Sequence, residues 1–484
     1  MTRLKNNTIQ FILDNEIVTI DFSHCSLAPT TTLLTYLRSL PDHKGVKEGC
    51  AEGDCGACTV VIAEQKHGTI HYKAVNSCLV FLPMIHGKQV ITVENLAHTT
   101  TAKELQLHPV QTALIEADGT QCGFCTPGVV MSLFGLYKNI PAPDRTEVEE
   151  HLNGNLCRCT GYQPMINAGA SLPDNNDDWF TENECATLQL LHTINTPQTS
   201  ISIETSSQSY FQPLTIDEAL QAKETHPDAV SLSGSTDISL KQTKQFELLQ
   251  TVIDLSAVDS LQEFTETDSA FIVGAGMTLE SINEKLQKQL PVFTEMIRLF
   301  ASKQIRNLAT IGGNIASDSP INDTIPLLFA LEANVILINR TEKKELTAED
   351  FILGYRKTAL QPNELIECII IPKQKNNCSN RFYKVSKRKH VDISSVSAGF
   401  SLELEGNLVK KVILAYGGMA ETTKRATKTE NFLLGSPWNQ KNIQQAILIV
   451  KDEFTPLSDV RAGADYRTMV AGNLLMKFHL ETIA

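Results

Sequence analysis

Eight of the twelve cysteines fall into two tight groups, and these are the residues whose type and spacing could do chemistry. The upstream group is Cys50, Cys55 and Cys58 with Cys78 further on, set in Gly49-Cys50-Ala-Glu-Gly53-Asp-Cys55-Gly56-Ala-Cys58. Cys-x4-Cys-x2-Cys with a remote fourth cysteine is the plant-type arrangement for a 2Fe-2S cluster. Glycines at 49, 53 and 56 suit a loop that wraps a cluster closely, visits left-handed backbone angles and presents amides to sulfur. The downstream group is Cys122 and Cys125, in Gln-Cys122-Gly-Phe-Cys125-Thr-Pro-Gly, with Cys157 and Cys159, in Cys157-Arg-Cys159-Thr-Gly-Tyr. Structural zinc is the alternative at each place. It fits the first group poorly, because the opening gap is four residues and the loop is glycine-rich, and it stays open for the second, where Cys-x2-Cys plus Cys-x-Cys would also hold zinc. Two clusters in so short a stretch would make a wire.

Each downstream pair sits just ahead of a helix start. Thr126 reads as an N-cap with Pro127 at the first helical position, and Thr160 as the cap of the segment after Cys159. Two helix N-termini aimed at a thiolate-bound centre would offset its negative charge. Upstream, residues 9–13 and 17–22 alternate around Asp14-Asn15 and predict a hairpin, followed by a helix over 32–39. Residues 92–161 read as helical, with helices over 108–119 and 127–138 and a third opened by the capping box Thr146-Glu-Val-Glu149 and stopped by Asn153-Gly154. Residues 173–208, including the run 174–178 and a Thr/Ser/Gln-rich stretch from 196, lack periodicity and predict a linker. Cys185 within it has no neighbouring cysteine and reads as a solvated or packed thiol.

Beyond the linker, Thr215-Ile-Asp-Glu218 is a further capping box, and residues 229–233 form a short strand that delivers Gly234-Ser-Thr-Asp237. Gly312-Gly313 places backbone amides where a pyrophosphate could sit, although a Gly-Gly pair also fits a plain turn. Gly274-Ala-Gly276 lacks the third glycine of the dinucleotide fingerprint, since Leu279 stands there, and reads as a strand-to-helix turn. Residues 394–404 and 409–419 read as strands, and 440–451 and 465–478 as helices.

The 484 residues are enough for roughly three domains with their own cores. Hydrophobic content of 42% and charged content of 20% are those of a water-soluble globular protein. A net charge of −13 argues against nucleic-acid binding and against adhesion to an anionic membrane, and favours small-molecule chemistry. No apolar leader or bilayer-length run is seen, which points to the cytoplasm, where grouped cysteines mean metal ligation or catalysis rather than disulfides.

The strings Glu-Gly-Cys50-Ala-Glu-Gly-Asp-Cys55-Gly-Ala-Cys58, Gln-Cys122-Gly-Phe-Cys125-Thr-Pro-Gly and Gly154-Asn-Leu-Cys157-Arg-Cys159-Thr-Gly-Tyr resemble the iron–sulfur motifs of the molybdenum hydroxylases of the xanthine dehydrogenase type. The resemblance implies an α+β multidomain chain: a ferredoxin-like β-grasp 2Fe-2S domain over 1–88, a four-helix 2Fe-2S domain with a two-fold arrangement over 89–172, the linker 173–208, an α+β FAD-binding domain over 209–384 and an α+β C-terminal flavoprotein domain over 385–484. It implies that FAD is held by Ser231, Leu232, Ser233, Gly234, Ser235, Thr236, Asp237 and Ile238 and by Thr310, Ile311, Gly312, Gly313 and Asn314, with Phe300, Asp323, Ile366 and Lys384 at its edges. Ser233-Gly234-Ser235 departs from the commoner pattern, small hydroxyls replacing a glycine or an asparagine, and still permits close approach of a phosphate.

By the same resemblance the chain is the iron–sulfur and FAD subunit, passing electrons from the molybdenum centre of a molybdopterin-binding large subunit through both clusters to FAD and on to NAD, in an α2β2 heterotetramer. The partner's substrate would be a purine, hypoxanthine or xanthine going to urate; an aldehyde or an N-heterocycle, or a self-contained NADH:acceptor reductase, are the alternatives. Tyr355, Arg356 and Lys357 are candidates for the nicotinamide side, while Lys387, Arg388, Lys389 and His390 read as a solvated basic loop. Cys25, Cys185, Cys368 and Cys378 are expected to be dispensable for iron.

Overall fold

Alternation buries Ile9, Phe11 and Leu13 on one face of the strand Thr8–Leu13, and the Asp14 turn, with φ of 56°, returns the chain as Glu16–Asp21 in antiparallel register. Thr8–Leu13 also pairs in parallel with Gln89–Ile91, which joins the hairpin Thr59–Lys66 and Thr69–Asn76 to complete a five-stranded sheet. The helix Leu33–Ser39, capped by Thr32, buries Leu33, Leu34 and Leu37 in the core of that sheet. This is the expected β-grasp.

The structure is a computed structural model that describes residues 6–66, 68–99, 104–174, 177–195, 199–374 and 377–483. It divides into two units, Met1–Val258 with Ser302–Ala309, and Asp259–Ala301 with Thr310–Ala484. The division cuts across the segment 209–384.

In the first unit the β-grasp is followed by four helices, Pro109–Glu116, Thr126–Asn139, Arg145–Leu152 and Gln163–Ala170, each packed on the next and the last on the first. Their core includes Val129, Leu133, Phe134, Leu136, Val148 and Met165. Several caps differ from expectation. Asp144, not Thr146, opens the third helix, with the reciprocal pair Asp144 and Glu147; Thr146 lies inside the helix and Glu149 bonds Arg145 instead. Thr126 is already helical, with Cys125 at the cap position. A short ladder, His98–Thr99 with Leu105–Gln106, interrupts the region read as wholly helical.

The stretch expected as a linker is largely regular. It contains the helices Trp179–Glu182 and Glu184–Ile194 and the strand Ile201–Glu204, while residues 175–176 and 196–198 lie outside the described residues, as does 1–5 at the N-terminus. Its polar composition hid a buried ion network: Asp178 accepts from His108 Nε2 at 3.0 Å and from Lys138 Nζ at 3.0 Å. The unit continues with the sheet Val230–Leu232, Thr251–Asp254, Ser209–Gln212 and Ile201–Glu204. Thr215 caps the next helix by accepting from Glu218 N, but the box is only half made, because the Glu218 carboxylate takes Leu214 N and Ser200 Oγ.

The second unit carries an antiparallel sheet in the order Phe264–Glu266, Ala270–Gly274, Leu365–Pro372, Asn334–Ile338 and Lys343–Thr347. Gly274-Ala-Gly276 is the expected strand-to-helix turn: Thr278 caps the helix Leu279–Leu286, and a Cβ on Gly274 would meet Leu261 O at 2.3 Å. A second sheet, Cys378–Val385, Val396–Glu405, Leu408–Gly417 and Lys424–Arg425, shares a core with the helices Gln440–Glu453 and Ala464–Thr482, close to the strands and helices expected there.

Candidate cluster and flavin sites

Cys50, Cys55 and Cys58 lie on the loop that ends where Thr59–Lys66 begins, and Cys78 lies in the turn Ser77–Leu79 that follows the partner strand. The hairpin therefore sets Cys58 beside Cys78, with Sγ atoms 3.4 Å apart, while Cys50 and Cys55 contact each other. Gly53, with φ of 82°, supplies a left-handed turn, whereas Gly49 is needed for space, since a Cβ there would stand 2.9 Å from Cys55 Sγ. Within each pair one sulfur is favoured as thiolate. The Cys55 thiol and the amides of Glu52, Cys55 and Asp54 hold Cys50 down at about 5 against burial, and Cys55 is pushed up. The contact between Cys58 and Cys78 likewise lowers Cys58 and raises Cys78.

The second quartet is also two pairs, Cys122 with Cys159 and Cys125 with Cys157. The amide of Phe124 and the thiol of Cys159 lower Cys122; burial and Cys157 push Cys125 up to about 12. Thr160 does not cap a helix. Its Oγ1 donates to Cys157 Sγ at 3.1 Å and accepts from Tyr162 N at 3.2 Å, while Tyr162, with φ of 68°, precedes the helix Gln163–Ala170 and takes Cys157 N on its hydroxyl at 3.0 Å. Among the described residues no three ligating side chains gather at the spacing of a single ion. Soft sulfur donors arranged as two pairs are the set that a diiron cluster with two thiolates per iron requires, so both quartets fit such a group.

The two cluster loops touch. Leu156 N donates to Cys55 O at 3.0 Å and Asn155 Nδ2 to Gly56 O at 3.1 Å, and Gly128 packs so closely that a Cβ would lie 2.2 Å from Gly56 O. Asn155 is buried, its Oδ1 accepting from Ser132 Oγ at 2.6 Å and from Gln304 Nε2 at 3.0 Å. Neither Asn155 nor Gln304 stood out in the sequence. Asn155 lies within a quoted motif, but nothing local marks a glutamine 149 residues away as its partner.

Of the residues expected at FAD, the first set begins in the strand Val230–Leu232 and runs into the helix Ile238–Thr243. Gly234 packs against Leu308, whose carbonyl a Cβ would reach at 1.9 Å. Ser235 holds φ of 64°, and the hydroxyls of Ser233 and Ser235 are buried with no hydrogen-bond partner. Two orphaned hydroxyls flanking a glycine are donors of the kind a phosphate requires, and this loop fits a dinucleotide.

In the second unit Thr310 caps the helix Ile311–Ala316. The amides there are engaged within the chain: Ile311 N on Met277 O, Gly312 N on Ala275 O, Gly313 N on Thr310 Oγ1 and Asn314 N on Thr310 O. The amides read as able to face a pyrophosphate are thus each bonded within the chain, and Gly313 presents an exposed, side-chain-free surface. Asn322 Nδ2 donates to Asn314 O at 2.7 Å, and the neighbouring Asp323 forms a buried ion pair of 2.7 Å with Lys384, which also reaches Leu299 O beside Phe300. Ile366 is buried in Leu365–Pro372, the strand on which the Ile311–Ala316 helix packs. Lys387 donates to Val460 O, in the segment that precedes the helix Ala464–Thr482, and Arg388 to Val391 O in its own loop, while Tyr355 is 60% exposed.

Paired thiols, a β-grasp followed by a four-helix domain, and α+β flavin-type domains define an iron–sulfur flavoprotein of the oxidoreductase class. Family models agree: a 2Fe-2S binding domain over 92–170, an FAD binding domain in molybdopterin dehydrogenase over 203–374, and a CO dehydrogenase flavoprotein C-terminal domain over 381–482. The chain belongs to the molybdenum hydroxylase family and is its iron–sulfur and FAD electron-transfer part. It is 31% identical to xanthine dehydrogenase 1 of Arabidopsis thaliana over 93% of this chain and 38% of the relative, and 31% identical to xanthine dehydrogenase/oxidase of Rattus norvegicus over 94% and 38%. It therefore spans under two fifths of those relatives' length. The carbon monoxide dehydrogenase structure from Hydrogenophaga pseudoflava that lacks the Mo-pyranopterin moiety matches with a TM-score of 0.54 and 26% identity, covering 57% of this chain and 96% of that one. Quinoline 2-oxidoreductase from Pseudomonas putida 86 shares the fold, with a TM-score of 0.53 and 22% identity over 58% of this chain and 98% of that one. No helix among the described residues is long and apolar enough to cross a membrane.

Proposed function

We propose that this chain is the electron-transfer subunit of a cytoplasmic xanthine dehydrogenase-like enzyme, taking electrons from the molybdenum centre of a molybdopterin-containing large subunit and delivering them to NAD. The single observation that carries the reading is the contact between the two thiol quartets, through Leu156 N on Cys55 O. Cys50, Cys55, Cys58 and Cys78 would hold one 2Fe-2S cluster, and Cys122, Cys125, Cys157 and Cys159 a second. In the first unit the 231–238 segment is proposed for FAD; in the second, Thr310, Ile311, Gly312, Gly313 and Asn314, with Phe300, Asp323, Ile366 and Lys384, are proposed for it on the family resemblance. When bound, such clusters carry single electrons and a flavin exchanges single electrons for a hydride pair, which is the conversion a dehydrogenase using NAD requires. The thiol pairs would hold the clusters, and the Leu156 and Asn155 bonds fix one loop against the other. The names of the sequence relatives support xanthine as the partner's substrate.

The test is Cys125→Ser, which puts a harder oxygen ligand where iron favours thiolate. In the assembled enzyme, substrate-driven NAD reduction should be almost abolished, while NADH oxidation by a dye that takes electrons directly from flavin is largely preserved at matched FAD content. Persistence of the first activity at the parent rate, with the cluster shown spectroscopically to be gone, would refute a serial relay.

A further inference from the structure

The helix Ile238–Thr243 leaves the first flavin segment and ends on Lys244, and Lys244 reaches the loop that carries Cys50. Its Nζ donates to Cys50 O at 3.1 Å and stands 3.3 Å from the Glu52 carboxylate. The amide of Glu52 in turn donates to Cys50 Sγ at 3.4 Å. The helix is itself fastened by Gln242 Nε2, which donates to Thr30 O at 2.8 Å. One cation thus both ties down the loop that presents an amide to a cluster sulfur and faces the acidic side chain of that loop.

Reducing a thiolate-ligated cluster adds negative charge, so a nearby cation and an amide aimed at sulfur favour the reduced state, and a nearby carboxylate disfavours it. We propose that Lys244 is a positioning residue that raises the reduction potential of the cluster held by Cys50, Cys55, Cys58 and Cys78, by neutralising Glu52 and by holding the Glu52 amide on Cys50 sulfur. This rests on the reading that the quartet binds a 2Fe-2S cluster. The pair is partly exposed, with side chains 44% and 38% accessible, so solvent and salt weaken the effect without removing it.

The test is an anaerobic redox titration of the cofactor-loaded full chain, followed by low-temperature electron paramagnetic resonance, on the parent, Lys244→Gln, Glu52→Gln and the double variant. Lys244→Gln should lower the reduced-to-oxidised ratio of this cluster roughly threefold at a fixed potential, a shift of about 28 mV for one electron. Glu52→Gln should move it the other way, and the double variant should return towards the parent, with the other cluster unmoved throughout. An unchanged potential in Lys244→Gln would overturn the proposal. So would shifts of one sign in both single variants with broadened signals, which mean a loosened loop rather than tuning. A parent chain without a signal from this cluster would instead remove the underlying reading.

Discussion

Ser235 carries a buried hydroxyl without a partner on a backbone held at φ of 64°, and both features cost stability unless a ligand uses them. If that hydroxyl serves the FAD diphosphate, Ser235→Ala should weaken FAD rebinding to the stripped protein about five- to tenfold, the worth of roughly one hydrogen bond, while leaving the flavin-free chain as stable as the parent or more so. Fluorescence titration of FAD checks the first half and thermal melting the second; unchanged affinity would take Ser235 out of the site. Asp318 makes a second residue-level case. Burial pushes its carboxyl up to about 6, against the Lys357 amide and the Arg356 charge that favour ionisation. Its folded value lies above the ordinary 3.8, so between those pH values the folded chain binds the extra proton and stability falls as pH rises through about 6. Asp318→Asn should therefore flatten that slope and stabilise the protein at pH 7, as measured by denaturant unfolding at several pH values; an unaltered slope would contradict it. The cysteines were legible because ligand spacing is local. Their pairing was not, because Cys58 meets Cys78 only through the register of Thr59–Lys66 against Thr69–Asn76.

At the scale of elements, the short helix Lys303–Arg306 belongs to the iron–sulfur unit although it lies far along the chain from the quartets. Gln304 donates to Ser132 Oγ, His151 O and Asn155 Oδ1, Asn307 Nδ2 donates to Ala74 O at 2.8 Å, and Arg306 is fully buried with Glu150 2.6 Å away. Removing one partner of such a pair leaves a charge poorly compensated, so Arg306→Ala should cost about 3–5 kcal/mol of stability in the first unit. Loss of both cluster chromophores at a lower temperature than in the parent would show it, and an unchanged melting profile would contradict it. Strands, helices and the 274–276 turn could be read from periodicity and caps. Cap positions slipped by one or two residues where neighbouring polar residues competed, as Asp144 did with Thr146. The 173–208 stretch was misjudged because its order comes from partners distant in sequence, such as His108 for Asp178.

At the scale of the whole molecule, the net charge of −13 disfavours nucleic-acid binding and favours small-molecule chemistry. Two thiol quartets and two flavin-type segments make a definite demand on its cofactor content. The most direct measurement is iron, acid-labile sulfide and FAD analysis of the full chain together with electron paramagnetic resonance after reduction. A relay built on these sites requires roughly four iron and one FAD per chain, and two distinguishable 2Fe-2S signals of about one spin each. Iron near half that value with a single signal in fully loaded protein, or zinc in its place, would contradict it.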